Sequence, residues 1–181
     1  GEGCSARNAE VISEKLGAPV LADAFSSVRE SVSSHRILRF ENLLRDDIFR
    51  SEVTPDAVLS LGSLPTSKTL RSWLSELDSP TWVAEPSGCN VDGLHRRSVH
   101  LACDFEALAD SLPKIEADYG WLESWTKAEA RLETKLSEAF AQITNLFEGK
   151  VTHLLSEILP DDCDIVVANS MPVRDVEWFW Q

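Results

Sequence analysis

Apolar and polar residues follow two alternating patterns along this chain, and these predict strands and helices in turn. Short continuous apolar runs are typical of buried strands, whereas apolar residues that recur every three or four positions indicate one face of a helix. Strands are predicted at about 19–23, 57–61, 80–84, 98–102 and 165–168. Helices are predicted at about 6–16, 42–51, 66–77, 105–112, 121–147 and 148–159. The alternation predicts an α/β fold, with a parallel sheet flanked by helices on both faces.

The last apolar run leads into Asn169–Asp175, a segment with the sequence NSMPVRD. We predict a buried strand, a polar turn and the start of a helix here, since Asn169 or Ser170 can cap a helix and Pro172 suits its first turn. Arg174 would then lie at a helix start beyond the carboxyl end of a strand, where an anion can be held. The other interpretation is a well-capped helix without a ligand, and these features alone favour it.

A second candidate motif lies in the first six residues, GEGCSA. They match the G-x-G-x-x-G/A fingerprint of dinucleotide-binding folds, and Asp23 lies at the end of the next predicted strand, about where a ribose-binding acid would lie. The fingerprint needs a strand immediately before it, and residues 1–181 contain none there. A tight strand-to-helix turn is therefore the simpler interpretation. A nucleotide-binding module that uses GEGCSA and Asp23 is kept as the alternative hypothesis.

Two polar segments are predicted to be loops. Residues 26–36 are rich in serine and include Ser27 and Arg29, which could contact a ligand, but an arginine in a loop is more often solvated or paired. Residues 85–97 are rich in turn-forming residues and end in a small basic cluster, His95-Arg96-Arg97. We interpret that cluster as part of a loop beside a partner domain.

Composition narrows the classes of function. The chain has 181 residues, of which 43% are hydrophobic and 26% charged, and this is ordinary for one globular domain. Its net charge of −13 argues against binding to nucleic acid or to an anionic membrane. A small anionic substrate held by one or two local arginines remains compatible with that charge.

No known catalytic or metal-binding motif is found. The four cysteines and four histidines do not fall at metal-ligand spacing, and free thiols in a reducing compartment are expected. The chain has no HExxH, no P-loop and no nameable Ser/His/Asp or Cys/His set. No apolar run approaches the ~20 residues of a membrane-spanning helix. The residues alone therefore indicate an α/β domain of undetermined role.

Three segments together resemble one enzyme family, the 2-succinyl-5-enolpyruvyl-6-hydroxy-3-cyclohexene-1-carboxylate synthases (MenD family). They are NSMPVRD, PVLADAFSSVR at 19–29, and PDAVLSLG at 55–62 running into PTSK at 65–68. Their order and spacing are those expected of the family, so the resemblance covers nearly the whole chain. It implies a thiamine-diphosphate-dependent transferase of three domains. Such enzymes decarboxylate 2-oxoglutarate and add the succinyl unit to isochorismate in menaquinone or phylloquinone biosynthesis.

The resemblance also implies a domain assignment. Residues 1–160 would form the central Rossmann-like domain, which carries no nucleotide in this family, and residues 161–181 would begin the C-terminal diphosphate-binding domain. The first strand of the central domain would precede residue 1. The aromatic residues Trp178-Phe179-Trp180 would normally pack on a domain outside residues 1–181, and in this chain they could drive self-association through an exposed patch.

Ser170 and Arg174 match family positions that hold substrate carboxylates, with Asn169 supporting the turn. An arginine fork can pair with both oxygens of a carboxylate, and a serine hydroxyl can add a third bond. The family's GDG…N metal and diphosphate motif and its activating glutamate are missing from residues 1–181. We therefore expect these residues to act as scaffold and interface, with no catalytic, cofactor-binding or metal-ligating residue. The parent would be a cytoplasmic or plastid homo-oligomer that binds thiamine diphosphate and Mg²⁺ or Mn²⁺.

Overall fold

Five strands and eight α-helices make up the fold of residues 4–30, 33–95, 97–117, 119–160 and 162–180, which the computed structural model describes. The strands are β1 (Val20–Leu21), β2 (Arg36–Ile37), β3 (Val58–Leu61), β4 (Thr81–Ala84) and β5 (Ser98–Leu101). The helices are α1 (Ala6–Leu16), α2 (Phe40–Leu43), α3 (Asp47–Glu52), α4 (Lys68–Glu76), α5 (Phe105–Ser111), α6 (Tyr119–Gln142), α7 (Glu148–Ile158) and α8 (Met171–Phe179). A 3-10 turn covers Ser27–Glu30. The first half of the GEGCSA motif and Arg96 of the basic cluster lie outside the described residues.

The paired strands of the described residues are parallel, as predicted, but they form two sheets. β1 pairs with β2, and β3, β4 and β5 pair in that order. The register of the larger sheet places Leu59 opposite Trp82 and Trp82 opposite Val99. Within the described residues, β1 and β3 each have one side without a neighbouring strand. Both of these strands line one cavity of about 870 Å³.

Helices cover both faces of the strands, with a separate apolar core on each face. Ile37 and Leu38, at the end of β2, belong to different cores, since successive side chains of a strand alternate in direction. Leu38 packs under α1 and α5 with Ile12 and Phe105. Ile37 packs under α2, α4 and α6 with Trp125. The predicted α/β architecture, parallel strands with helices on both sides, is confirmed.

Local signals account for the helix ends that were predicted well. The helix α1 begins after Ser5, whose hydroxyl accepts a hydrogen bond from the Asn8 backbone N–H at 3.2 Å. It ends at Gly17, which has a φ of 56°. This left-handed conformation is the common way to end a helix and favours glycine. The start of α5 is likewise capped by Asp104, which accepts a hydrogen bond from the Ala107 N–H at 2.7 Å.

The predicted helix at 42–51 is divided into α2 and α3. Asp46 causes the division, because its carboxylate accepts hydrogen bonds from the N–H groups of Ile48 and Phe49 and so starts a new helix. The predicted loop at 26–36 is also more ordered than expected. It contains the 3-10 turn and β2.

The predicted buried strand at 165–168 is wrong. These residues are irregular, and Val166 is 98% exposed. A strand needs a hydrogen-bonded neighbour, and within the described residues this run has none. The predicted helix at 121–147 also ends early, at Gln142, whereas the predicted helix at 148–159 agrees with α7.

The aromatic residues at the end of the chain pack within this chain. The ring of Phe179 lies 5.6 Å from that of Phe140 and 6.4 Å from that of Phe147. Trp178 lies under the Arg45 guanidinium, with 4.7 Å between the guanidinium carbon and the ring centre. The expectation that this segment depends on another domain for its packing is therefore wrong for these two side chains. Among the described residues, no helix combines the length and apolarity needed to cross a membrane.

We predict that Gly149→Ala loosens the packing of α8 on α7. A Cβ at this position would lie 2.4 Å from the ring of Phe179 and 2.9 Å from that of Phe147. Overpacking of this kind costs about 1–3 kcal/mol of unfolding free energy, which urea denaturation measures. Gly93→Ala is the matched control, because the nearest atom to its added Cβ is 3.5 Å away. Equal stability of the two variants would contradict the prediction.

Candidate functional site

The start of α8 is exposed and lacks a side-chain cap. Ser170 occupies the capping position with a φ of 77° and a ψ of −119°, and its hydroxyl makes no capping hydrogen bond. Asn169 Oδ1 accepts a hydrogen bond from the Ser170 N–H at 2.8 Å, which holds the turn. The prediction that Asn169 or Ser170 caps this helix is therefore wrong. The N–H groups in the first turn of α8 therefore receive no capping hydrogen bond from the Ser170 side chain.

The structure brings the three predicted site residues together at this helix start. Asn169, Ser170 and Arg174 are all exposed. Arg174 follows Ser170 by four residues, so it lies one turn further along the same face of the helix. The positive end of the helix dipole, uncapped N–H groups and a guanidinium all favour an anion here. The arrangement can hold a carboxylate, and it offers no group suited to catalysis.

Two arginines, the buried Arg39 and the half-buried Arg29, hold the other end of α8. Arg39, which is 1% exposed, donates to the carbonyl oxygen of Trp180 at 2.7 Å and to Glu133 Oε2 at 2.9 Å. Arg29 donates to the carbonyl oxygens of Trp180 at 3.0 Å and Val176 at 3.4 Å. The last carbonyls of a helix lack partners within it and carry partial negative charge, so cations stabilise them. The two guanidinium groups therefore hold the carboxyl end of α8 in place.

A buried carboxylate completes the attachment of α8 to the carboxyl end of β1. Glu177 Oε2 accepts a hydrogen bond from the Ala24 N–H at 2.6 Å. Burial raises the pKa of Glu177 to about 7, against the lowering effect of the Arg29 charge and the Ala24 hydrogen bond, while Asp23 raises it further. Burial also lowers the pKa of Arg29 to about 10. Both groups are thus destabilised in their charged forms by loss of water, and their mutual attraction offsets part of that cost.

The same cluster weakens the nucleotide alternative. Asp23, proposed as a ribose-binding acid, is half-buried beside Glu177 and Arg29. The backbone beyond β1 is already engaged, since Ala24 donates to Glu177 and Ala22 accepts from Arg29 at 3.3 Å. The end of β1 is therefore covered by α8 and by Arg29.

Glu129 of α6 anchors the end of β2. Its carboxylate accepts hydrogen bonds from the Leu38 N–H at 2.8 Å and the Arg39 N–H at 3.1 Å. Burial raises the pKa of Glu129, while these hydrogen bonds and the Arg39 charge lower it. Sequence reasoning missed Arg39, Glu129 and Glu177. Arg39 carried a usable signal, because a charge between the apolar residues Leu38 and Phe40 indicates a buried, paired group.

Other sequence candidates have structural roles or remain exposed. The PTSK segment caps α4, where Ser67 accepts a hydrogen bond from the Leu70 N–H at 3.0 Å and also contacts Glu41. Lys68 and His95 are exposed. All four cysteines are free; Cys4 is buried, Cys89 is exposed, and the other two are half-buried.

Comparison of the sequence with known proteins finds a matching family and several relatives. Residues 5–167 match the family described as "Middle domain of thiamine pyrophosphate". The chain is 37% identical over 174 residues to the 2-succinyl-5-enolpyruvyl-6-hydroxy-3-cyclohexene-1-carboxylate synthase of Gloeothece citriformis, covering 94% of this chain and 30% of that protein. It is 40% identical over 172 residues to the synthase of the same name from Synechococcus elongatus, covering 93% and 29%. The chain thus spans about 30% of the length of the curated relatives it matches.

We predict that Glu177 makes stability depend on pH. The pKa of Glu177 is about 7 in the folded chain and near 4.5 when exposed, so the unfolded state loses the proton first as pH rises. The contribution of Glu177 to unfolding free energy is therefore complete below about pH 4.5 and is lost by about pH 7. A shift of this size corresponds to at most roughly 3 kcal/mol.

Glu177→Gln tests this prediction, because glutamine cannot ionise but still accepts from Ala24. The unfolding free energy of the variant minus that of the wild type should rise between pH 4.5 and pH 7 and then level off. Urea denaturation at a series of pH values measures the difference. Glu138→Gln, on the exposed part of α6, is the control and should give a flat difference. A flat difference for Glu177→Gln as well would refute the assignment.

Proposed function

The chain belongs to the family of thiamine pyrophosphate middle domains, and from that membership we propose that it is the central part of a 2-succinyl-5-enolpyruvyl-6-hydroxy-3-cyclohexene-1-carboxylate synthase. The observation that carries this proposal is the similarity to those synthases along more than nine-tenths of the chain. The parent would decarboxylate 2-oxoglutarate and add the succinyl unit to isochorismate, for menaquinone or phylloquinone. Residues 1–181 would contribute structure and a domain interface.

We propose that Ser170 and Arg174 bind a substrate carboxylate, with Asn169 holding the turn. Three features of the described chain support this role: the exposed, uncapped start of α8, the guanidinium one turn along, and the rigid attachment of the far end of the helix. Both substrates carry carboxylates, for which an arginine fork and backbone N–H groups are suitable partners. The Ser170 hydroxyl makes no capping hydrogen bond to α8 and can therefore make such a contact.

The carboxylates near the start of α8 do not fit a divalent metal. The two nearby carboxylates, Asp175 and Glu177, are buried, and burial raises the pKa of each. Glu177 is already bonded to the Ala24 N–H. Mg²⁺ prefers ionised, accessible oxygen ligands. We therefore propose that thiamine diphosphate and Mg²⁺ or Mn²⁺ are bound by parts of the parent beyond residues 1–181.

The remaining assignments follow from the same proposal. We place the boundary between the central domain, 1–160, and the start of the C-terminal domain, 161–181, in the irregular stretch after α7. The parent would be a homo-oligomer of the cytoplasm, or of the plastid in a photosynthetic eukaryote. The alternative, a free-standing nucleotide-binding module, is not favoured by the comparisons or by the covered end of β1.

In the full-length parent we predict that Arg174→Ala lowers kcat/KM for carboligation by roughly 30- to 150-fold, since a bidentate charged contact contributes about 2–3 kcal/mol. Arg174→Lys keeps the charge but loses the fork and should recover only part of the activity. The assay uses isochorismate, 2-oxoglutarate, thiamine diphosphate and Mg²⁺.

Arg131→Ala is the matched control, because Arg131 is an exposed arginine on α6 and should leave activity unchanged. An active parent that tolerates Arg174→Ala would return this segment to a purely structural role. An inactive wild-type parent would instead refute the family-based activity.

We also predict that residues 1–181 alone neither bind thiamine diphosphate nor decarboxylate 2-oxoglutarate. Titration calorimetry with thiamine diphosphate and Mg²⁺ should give no binding heat, and a carbon dioxide release assay should give no turnover. The full-length parent is the positive control. Turnover by the 181-residue chain would mean that the catalytic groups lie within it.

A further inference from the structure

We propose that Met171 is a reversible oxidation site whose sulfoxide form competes with a carboxylate for the guanidinium group of Arg174. The proposal rests on the proposed function, because it takes Arg174 to hold a substrate carboxylate. Oxidation of Met171 would lower the affinity for that substrate, and reduction of the sulfoxide would restore it.

Met171 is accessible to a dissolved oxidant. It is the first residue of α8, it is 46% exposed, and it is the only methionine among the 181 residues. The two apolar cores of the described residues do not include it. A methionine within a core disrupts the packing when it is oxidised. Because Met171 lies outside both cores, its sulfur can accept a polar oxygen without loss of core packing.

The sulfur of Met171 lies beside the guanidinium group of Arg174. Arg174 Nη1 donates to Met171 Sδ at 3.9 Å, as side chains three residues apart on a helix can do. Both residues are exposed, so a substrate can reach the guanidinium group. A thioether sulfur is a weak acceptor, and a carboxylate displaces it. The reduced form of Met171 therefore leaves Arg174 available to an anion.

An oxygen on this sulfur would be a much stronger acceptor for the same donor. Because the sulfur lies 3.9 Å from Arg174 Nη1, an oxygen on the side facing Arg174 would come within the ~2.7–3.2 Å of an N–H···O hydrogen bond. The charge of the donor strengthens such a bond, and the positive end of the α8 dipole favours the negative oxygen. The sulfoxide would thus occupy part of the donor fork that a substrate carboxylate requires.

The oxidation step balances with hydrogen peroxide as the oxidant. The sulfur lone pair forms a bond to one peroxide oxygen, the O–O bond breaks, and the departing hydroxide takes the proton of the transferred oxygen and leaves as water. Sulfur is oxidised and the peroxide is reduced. In the reverse direction a pair of thiols supplies the electrons, forms a disulfide and releases the oxygen as water. Methionine sulfoxide reductases catalyse this reduction, so the modification is reversible.

Peptide mass spectrometry on the full-length parent tests the proposal without an activity assay. The protein is treated with hydrogen peroxide and then briefly with phenylglyoxal, which modifies accessible guanidinium groups. Digestion after glutamate releases residues 158–177, which contain Met171 and Arg174 and no other methionine or arginine. We expect Met171 to gain one oxygen and Arg174 then to react about 5-fold more slowly, the effect of one hydrogen bond. Arg131, exposed on α6, is the matched control and should react at an unchanged rate.

Two variants of the parent separate this competition from damage to the helix. Met171→Gln places a carbonyl oxygen where the sulfoxide would carry its own, and Met171→Leu cannot be oxidised. In untreated Met171→Gln, the KM of the substrate that responds to Arg174→Lys should rise about 5-fold with kcat unchanged, because saturating substrate displaces the competing oxygen. Peroxide should raise the same KM in the wild type, and methionine sulfoxide reductase should restore it. Met171→Leu should not respond to peroxide.

A Met171 that peroxide leaves unmodified would overturn the proposal, and so would an oxidised Met171 beside an Arg174 of unchanged reactivity. A lower kcat with an unchanged KM in Met171→Gln would also overturn it, since that is the result of a purely structural role. The mass measurements need no substrate. A parent without carboligation activity that shows both the added oxygen and the slower reaction of Arg174 would therefore refute only the proposed function.

Discussion

The position of α8 depends on the guanidinium groups of the buried Arg39 and the half-buried Arg29 at its carboxyl end. Burying a charge is costly unless it is paired and hydrogen-bonded. Arg39 meets this condition with Glu133 on one side and the Trp180 carbonyl on the other, and Arg29 shares that carbonyl. Because the fork of an arginine has five donors in fixed positions, one side chain can bridge two elements. The contacts at its carboxyl end thus orient α8 and leave the start of the helix exposed.

This arrangement explains why local sequence signals were reliable for some elements and not for others. The ends of α1, α5 and α4 depend on caps within three residues, such as Ser5 and Asp104, and the sequence predicts them. The partner of Arg39 is 141 residues away along the chain, and that of Glu177 is 153 residues away. No periodicity or capping motif encodes such a pairing. The prediction of a strand at 165–168 failed for the same reason, because an apolar run forms a strand only where another strand lies beside it.

The candidate site was only partly predictable. The residue types predicted a helix start at NSMPVRD and a site formed by Asn169, Ser170 and Arg174. They also predicted a side-chain cap, which is not observed. Ser170 instead adopts a positive φ that is unfavourable for any residue but glycine. Such strain is often found at functional positions, where the surroundings maintain it. In this chain the conformation of Ser170 is maintained by the Asn169 hydrogen bond at the start of α8 and by the arginines at its end.

The strand β1 borders the cavity and also holds α8. One edge of β1 borders the cavity, while the residues just beyond β1 hold α8 through Ala24 and Ala22. With two residues and a single partner strand, β1 is a weak support, since isolated pairs of strands are marginally stable. The pairing of β1 with β2 and the positioning of the exposed helix start are therefore physically coupled, because Glu177 and Arg29 bond to the backbone at the end of β1.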